Sequence, residues 1–148
     1  MLRIAVLGRY VQKKINLLLS VFNLRYIITP MSYKFKQTTS NPHFPEVMDV
    51  EPTEVLENAT ALKLIDVREA DEFIGELGHV DTSELIILNT IPEKINSLPK
   101  DQTIIFICRS GGRSAQATAF AQSKGFTDVY NMRGGMLAWN HQQLPTRK

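Results

Sequence analysis

Residues 103 to 114 read TIIFICRSGGRS, and this stretch decides the fold because an apolar run is followed by a glycine-bearing loop and a helix-like segment. A short apolar run such as Thr103–Cys108 is typical of a strand buried on both faces of a parallel sheet. Ser114–Lys124 has the pattern of a helix that is closed by Gly125. The stretch therefore predicts a strand, a tight turn and a helix, with Cys108 at the carboxyl end of the strand.

The residues on either side continue this alternation of strands and helices. Four further strands are predicted, over Val47–Val50, Leu62–Val67, Leu85–Leu88 and Asp128–Met132. Four further helices are predicted, over Pro52–Asn58, Glu69–Gly75, Pro92–Leu98 and Met136–Gln142. Such alternation predicts an α/β fold, in which a central, mostly parallel sheet of about five strands carries helices on both faces. Functional sites in this architecture lie beyond the carboxyl ends of the strands, where Cys108 stands.

The charge distribution divides the 148-residue chain into a basic leader with its linker and a single domain. Residues 1–45 hold seven of the 17 Lys and Arg residues and no Asp or Glu, which leaves ten basic and fifteen acidic residues in 46–148. Residues 31–45 are polar and punctuated by proline, as in a linker. We therefore expect the domain to occupy 46–148. Its acidic excess argues against nucleic-acid binding, which needs a clustered basic face.

The leader has three interpretations. Its longest uncharged run, Ile15–Leu24, is ten residues long, whereas a membrane-spanning helix needs about 20. We therefore expect no membrane span, and the leader is an organellar targeting segment, an interfacial amphipathic anchor, or upstream sequence that is not natively translated. In the third case Met31 or Met48 is the start. We expect a cytoplasmic protein, or an organellar one if residues 1–30 are a targeting segment.

The loop after the apolar run has the composition of an anion-binding nest around a thiol. Gly111 and Gly112 let successive backbone N–H groups turn inward, and the following helix points the positive end of its dipole at the same place. Arg109 and Arg113 add two permanent charges. Helix N-termini and neighbouring cations favour thiolate over thiol. Cys108 is therefore predicted to be a nucleophile that needs no separate base.

Cys108 is also the single cysteine of the chain, which limits its chemistry. One cysteine excludes an intramolecular disulfide, a multi-thiolate zinc site and a cysteine-ligated iron–sulfur cluster built by this chain. We expect no metal and no cofactor. Any group that Cys108 accepts must pass to an external acceptor rather than to a second thiol.

Three segments of the chain, in the right order, resemble a single-domain rhodanese over nearly all of residues 47–148. They are Leu64–Glu69 with Glu72-Phe73 and Gly78–Val80, the loop Cys108–Ser114, and Gly134–Trp139 followed by Leu144-Pro145. Between His79 and Leu85, relatives typically have isoleucine, proline, glycine and alanine, whereas this chain has Val80–Glu84. That departure weakens any inference about the partner that approaches this edge, and leaves the inference about the chemistry intact.

The resemblance implies a double-displacement sulfurtransferase. A thiolate takes the outer sulfur of a small anionic donor such as thiosulfate, holds it as a persulfide, and yields it to cyanide or to a thiol acceptor, which includes a protein acceptor. The catalytic cysteine falls on Cys108. The persulfide cradle falls on the backbone of Arg109, Ser110, Gly111, Gly112, Arg113 and Ser114. The side chains of Arg109 and Arg113 would bind the donor and its sulfite product.

Two other functions remain open. The related phosphatase and arsenate-reductase loop places five residues between its cysteine and its arginine, whereas four stand between Cys108 and Arg113, and Ser114 takes the place of that arginine. The shorter ring favours sulfur transfer. The other alternative is a non-catalytic sulfur carrier or binding module that a partner protein loads.

Several residues outside the loop have alternative roles. Asp66 and Arg68 end a strand on the same side as Cys108, so they pair either with the loop arginines or with each other. His79 is either a general acid or a hydrogen-bonded turn residue. Trp139 either packs the last helix against the sheet or lines the mouth of the pocket. Ser114 is expected to cap its helix and to donate to the sulfur.

Overall fold

A computed structural model describes residues 32–148, which form a mostly parallel six-stranded sheet covered by helices. The strands are β1 (Thr38–Ser40), β2 (Met48–Val50), β3 (Lys63–Asp66), β4 (Glu84–Leu85), β5 (Ile104–Ile107) and β6 (Val129–Met132). The α-helices of this part of the chain are α1 (Pro52–Glu57), α2 (Ala70–Phe73), α3 (Ile91–Lys94), α4 (Gly112–Ser123) and α5 (Gly135–His141). Two 3₁₀ turns flank α3, at Leu88–Thr90 and Ile95–Ser97.

The strand order is β1-β2-β6-β5-β3-β4, so the apolar strand β5 lies inside the sheet. All four residues of β5 are buried. β5 pairs in parallel with β3 on one side and with β6 on the other. Only β1 runs antiparallel to its neighbour, β2. The predicted α/β fold with a mostly parallel sheet is confirmed.

Helices cover both faces of the sheet, as the sequence predicts. Ile104 and Phe106 pack in one core cluster, to which α3 and α4 contribute residues. Ile105 and Ile107 point the other way and pack in the second cluster, with residues of α1 and α5. This alternation along one strand is the period of two that a strand buried on both faces requires. The two clusters fix the end of β5, and with it the position of Cys108.

The structure extends the sheet into the segment that the sequence predicts as linker. β1 pairs with Met48–Val50, and Asn41 closes the turn between the two strands by bonding Val47, His43 and Phe44. The six strands therefore exceed the predicted five, and the ordered sheet begins before residue 46. All three residues of β1 are exposed. β1 therefore lacks the apolar pattern by which a strand is predicted. Its hydrogen bonding to β2 is what makes it a strand.

Most element boundaries differ from the predicted ones by one or two residues, and three of the differences concern the elements near β4, α3 and α4. The strand predicted over Leu85–Leu88 stops at Leu85, and a 3₁₀ turn follows from Leu88, although the chain still bonds along β3 through Ile86 N and Leu88 N. The helix predicted over Pro92–Leu98 begins one residue earlier and ends in a 3₁₀ turn. α4 begins at Gly112 rather than at Ser114.

No helix in the part of the chain from residue 32 onward has the length and apolar character that crossing a bilayer requires. The interpretations of residues 1–30, and the run Ile15–Leu24, concern a segment that lies outside the described residues.

Candidate active site

The first feature of the site is the short loop that carries Cys108 from the end of β5 to the start of α4. Cys108 is 1% exposed. The backbone N–H of Gly111 donates to its sulfur at 3.1 Å, and the hydroxyl oxygen of Ser114 lies 3.2 Å from the same atom. Arg109, Ser110 and Gly112 are exposed. The loop thus holds a buried sulfur under residues that face the solvent.

Of the two glycines in the loop, Gly111 is the one whose conformation requires glycine. Gly111 has φ of 98° and is the N-cap residue of α4. A side chain is strained in this left-handed region. Gly112 is already helical, and a Cβ built on it meets nothing within 4 Å. Ser114 lies inside the first turn of α4, where no side chain caps the helix, so its predicted capping role is wrong.

The start of α5 holds the loop from the other side. Met136 N donates to the carbonyl of Cys108 at 2.8 Å, and Leu137 N donates to the carbonyl of Arg109 at 2.9 Å. Gly135, with φ of 56°, passes so close that a Cβ on it would lie 2.3 Å from the Cys108 oxygen. The segment Gly134–Trp139, which the sequence analysis identifies only through a resemblance, therefore supports the loop that carries Cys108.

The two loop arginines differ in their partners. The terminal nitrogens of Arg113 donate to the two carboxylate oxygens of Glu72 at 2.7 Å each. These hydrogen bonds lower the pKa of Glu72 to about 2 and raise the pKa of Arg113. The ion pair therefore contributes its stability above the ordinary glutamate pKa of 4.5 and loses it only as the pH falls toward 2. Within residues 32–148, no carboxylate pairs with the exposed side chain of Arg109.

Asp66 and Arg68 pair with each other rather than with the loop arginines. Arg68 Nη2 lies 2.7 Å from Asp66 Oδ2, and the two side chains are 1% and 0% exposed. Arg68 also donates to the carbonyls of Glu72 and Gly78. Its connection to the loop is therefore indirect, through the backbone of Glu72, whose carboxylate holds Arg113.

Arg68→Lys is expected to lower the free energy of unfolding by about 2 kcal/mol. Lysine keeps the positive charge but cannot reproduce the planar fork that serves Asp66 and two carbonyls at once, so buried acceptors lose donors. Urea unfolding measures the change. Arg133→Lys is the matched control, because Arg133 makes an exposed contact with Glu51, and we expect it to change stability by less than about 0.5 kcal/mol. Equal effects of the two substitutions would contradict this interpretation.

His79 and Trp139 have structural contacts. The ring of His79 stacks on Phe73 with centroids 3.7 Å apart, and its Nδ1 lies 2.9 Å from the Phe73 carbonyl. Trp139 is fully buried, and its Nε1 donates to the Pro145 carbonyl at 3.0 Å. These contacts agree with the predicted turn and packing roles.

The sequence did not predict a chain of buried, hydrogen-bonded polar side chains next to Cys108. The Ser114 oxygen lies 2.5 Å from Asn131 Oδ1, and Asn131 Nδ2 donates to Asp49 Oδ1 at 2.7 Å. Asn41 Nδ2 donates to both oxygens of Asp49. Asn131 and Asp49 are 1% and 6% exposed. Their polar positions inside otherwise apolar strands are the signal that could have identified them.

The surroundings of the loop include a cavity of about 610 Å³. Its lining includes Ser110–Gly112 of the loop, residues 39–44, and Asp49 and Asn131. The segment predicted as linker thus lies beside the loop that carries Cys108. Within residues 32–148, no group of three or more His, Cys, Asp or Glu side chains is arranged to hold a metal.

Comparisons with known proteins point to one family. Residues 51–142 match the family model described as the rhodanese-like domain. The chain is similar to the putative sulfurtransferase YtwF of Bacillus subtilis (strain 168), with 42% identity over 92 residues that cover 62% of this chain and 86% of YtwF. It is also similar to the thiosulfate sulfurtransferase GlpE of Stutzerimonas stutzeri (strain A1501), with 30% identity over 91 residues that cover 62% and 81%.

A solved structure shows the same fold. The structure of a rhodanese-related protein from Thermoplasma volcanium superposes with a TM-score of 0.60 and 30% identity, and the match covers 66% of this chain and 94% of that one. The family model spans more than half of the chain. The chain therefore belongs to the rhodanese-like domain family, whose members similar to it include named sulfurtransferases.

Proposed function

We propose that this protein transfers a sulfane sulfur from thiosulfate or a similar small anionic donor to cyanide or a thiol, through a persulfide on Cys108. The observation that carries the proposal is the position of the Cys108 sulfur, which is buried at the end of β5 and contacted by Gly111 N–H at the start of α4. Backbone amides and a helix N-terminus stabilise the negative charge of a sulfur anion.

The reaction proceeds in two displacements. The Cys108 thiolate bonds to the outer sulfur of thiosulfate, and the sulfur–sulfur bond of the donor breaks with its electron pair leaving on sulfite. Cyanide or a thiolate acceptor then attacks the outer sulfur of the persulfide. The product leaves as thiocyanate or as a new persulfide, and the Cys108 thiolate is regenerated. No second cysteine of the chain takes part, since Cys108 is its only one.

The burial of Cys108 favours small donors and protects the intermediate. A residue that is 1% exposed is reached most readily by a narrow group such as a terminal sulfur. Exclusion of water also strengthens the electrostatic contacts of the persulfide and limits its hydrolysis. We propose that the backbone from Arg109 to Ser114 cradles the persulfide in this shielded position.

Steady-state formation of thiocyanate from thiosulfate and cyanide tests the proposed function. We expect turnover that saturates with thiosulfate and releases one sulfite for each thiocyanate formed. A chain that gains sulfur but does not turn over would instead be a carrier. Release of phosphate from an aryl phosphate without any thiocyanate formation would contradict sulfur transfer.

Arg109→Ala is expected to raise the KM for thiosulfate about tenfold with a smaller change in kcat. Of the two loop cations, the exposed Arg109 is the one without a carboxylate partner in the described part of the chain, and loss of one charge–charge contact with a dianion is worth roughly 1–2 kcal/mol. Lys100→Ala is the control, because Lys100 is exposed and precedes β5, at the opposite end from Cys108. An unchanged KM in Arg109→Ala would remove this arginine from donor binding.

The acceptor is proposed to include thiols, among them a protein thiol. Leu137 is 42% exposed although its N–H bonds the Arg109 carbonyl, so an apolar side chain stands beside the loop. Glutathione in place of cyanide tests the small-thiol part, with formation of glutathione persulfide as the expected result. Loss of sulfur transfer with every thiol tried would restrict the acceptor to cyanide.

The cytoplasm is the proposed compartment, because a lone reactive thiol persists in a reducing environment. Fractionation of cells that make the native protein, followed by its intact mass, tests this. Recovery from an organelle in a form shortened at the leader would contradict it.

A further inference from the structure

The buried residues Asp49, Asn131 and Ser114 form a hydrogen-bonded chain that contacts the Cys108 sulfur through the Ser114 hydroxyl. Its three links are the 2.7 Å bond from Asn131 Nδ2 to Asp49, the 2.5 Å contact between Ser114 Oγ and Asn131 Oδ1, and the 3.2 Å contact between Ser114 Oγ and the sulfur. All four residues are at least nine-tenths buried. Each link must therefore be satisfied inside the protein rather than by bulk water.

The direction of these hydrogen bonds is fixed from the far end. Asn41 Oδ1 accepts the N–H groups of His43 and Phe44, so its Nδ2 faces Asp49. The Asp49 carboxylate only accepts, so Asn131 must present Nδ2 to it. Asn131 then presents its carbonyl oxygen to Ser114. The last acceptor of the hydrogen-bonded chain is therefore Asn131 Oδ1, which accepts a hydrogen bond from the Ser114 hydroxyl.

Ser114 has one hydroxyl proton and two acceptors within reach. When Cys108 is a thiol, its S–H donates to Ser114 Oγ and the hydroxyl donates to Asn131, so every group is satisfied. When Cys108 is a thiolate, the sulfur needs a donor. If the Ser114 hydroxyl donates to the sulfur, the buried Asn131 Oδ1 is left without a hydrogen-bond donor, which is unfavourable.

We propose that Asn131, held by Asp49, competes with Cys108 for the single hydroxyl proton of Ser114 and thereby keeps Cys108 a thiol over a wider pH range than the loop would alone. Asn131 and Asp49 are positioning residues that act through Ser114. In the persulfide the negative charge lies on the outer sulfur, so the Ser114 hydroxyl again donates its hydrogen bond to Asn131 Oδ1. The chain thus disfavours the bare thiolate relative to both the resting thiol and the loaded persulfide.

The other charged groups near the loop act alongside this chain. They are Arg109 and Arg113 from the loop and α4, Glu72 from α2, and Asp66 and Arg68 from the end of β3. None of the hydrogen bonds of these five side chains involves Ser114 or Asn131. Substitution at Asn131 therefore changes the serine proton and leaves these charges in place.

The experiment measures the rate of alkylation of the full chain by iodoacetamide against pH, without any sulfur donor. Cys108 is the only thiol, so the midpoint of the profile reports its ionisation. In Asn131→Leu the serine proton is free to turn to the sulfur, and we expect the midpoint to fall by about one pH unit. Alkylation below the wild-type midpoint should then be about tenfold faster.

Ser114→Ala provides the second arm of a double-mutant cycle. In the Ser114→Ala background, Asn131→Leu should leave the midpoint unchanged, because the proton for which the two residues compete is gone. An unchanged or higher midpoint in the single variant Asn131→Leu would overturn the proposal. A downward shift that persists in the Ser114→Ala background would overturn it too, since it would not act through the serine.

A further variant covers the case in which Asn131→Leu does not fold because Asp49 loses a donor. Asp49→Asn/Asn131→Leu removes the buried charge together with the amide, and its midpoint is compared with that of Asp49→Asn so that the loss of charge cancels. The same two outcomes then apply to this difference, with and without Ser114→Ala. The competition of Asn131 and Cys108 for the serine proton matters for turnover only if the proposed function is correct. The alkylation profile tests the competition itself and does not depend on that function. Failure to gain sulfur from thiosulfate would reject the function and leave the profile as a separate result.

Discussion

Cys108→Ser is expected to abolish thiocyanate formation while the protein keeps its fold. A serine hydroxyl cannot form the persulfide, and its oxygen is far less nucleophilic at neutral pH than the thiolate it replaces. The side chain is nearly isosteric, so its contacts with Gly111 and Ser114 persist and stability should change by about 1 kcal/mol or less. A thiocyanate assay and thermal unfolding measure the two effects.

A thiol placed elsewhere on α4 is the matched control. Ser123→Cys in the Cys108→Ser background restores the cysteine content at the exposed far end of the helix. We expect no recovery of turnover, because that thiol lacks the amide and the buried surroundings of Cys108. Residual turnover in Cys108→Ser, or recovery with the distant thiol, would show that the position of Cys108 is irrelevant to the reaction.

Gly135→Ala is expected to lower the free energy of unfolding by roughly 2–5 kcal/mol and to remove most of the turnover. The left-handed backbone costs an alanine about 1–2 kcal/mol, and overpacking typically adds about 1–3 kcal/mol. A Cβ at Gly135 would stand 2.3 Å from the Cys108 carbonyl oxygen and 2.7 Å from the Arg109 carbonyl. The same two carbonyls accept hydrogen bonds from α5, so relief of the clash displaces the loop that carries Cys108.

Gly112→Ala is the control for this glycine. Its Cβ meets nothing within 4 Å, and Gly112 is the first helical residue of α4. We expect a stability change within about 1 kcal/mol, in the stabilising direction if alanine favours the helix. Urea unfolding of the two variants side by side gives the comparison. Similar stabilities would mean that α5 does not press on the loop as the structure indicates.

The apolar pattern of the sequence was sufficient to predict five of the six strands of the sheet, because a strand that packs in the core has a recognisable apolar pattern. Ile104–Ile107 is apolar throughout and is buried throughout, and the glycine-bearing loop follows where it is predicted. The prediction that Cys108 lies at the carboxyl end of this strand needed only the apolar run and the glycine-bearing loop. β1 carried no such signal, since its residues are polar and exposed.

Contacts between distant residues are the part of the site that the sequence could not show. The contact of Arg113 with Glu72 spans 41 positions, and that of Asn131 with Asp49 spans 82. The resemblance implies that both arginines bind the anionic donor, and the structure adds that Glu72 holds the side chain of Arg113. The start of α4 depends on the backbone of Gly111, whose φ of 98° places the N-cap three residues before Ser114.

The mass of the full chain after incubation with thiosulfate tests most directly whether Cys108 accepts sulfur. Cleavage of the loaded chain followed by mass spectrometry of the peptide that contains Cys108 locates any addition. The proposed mechanism predicts a gain of one sulfur atom on that peptide, lost on addition of cyanide and absent from Cys108→Ser. An unchanged mass with thiosulfate and with a small persulfide donor alike would contradict it.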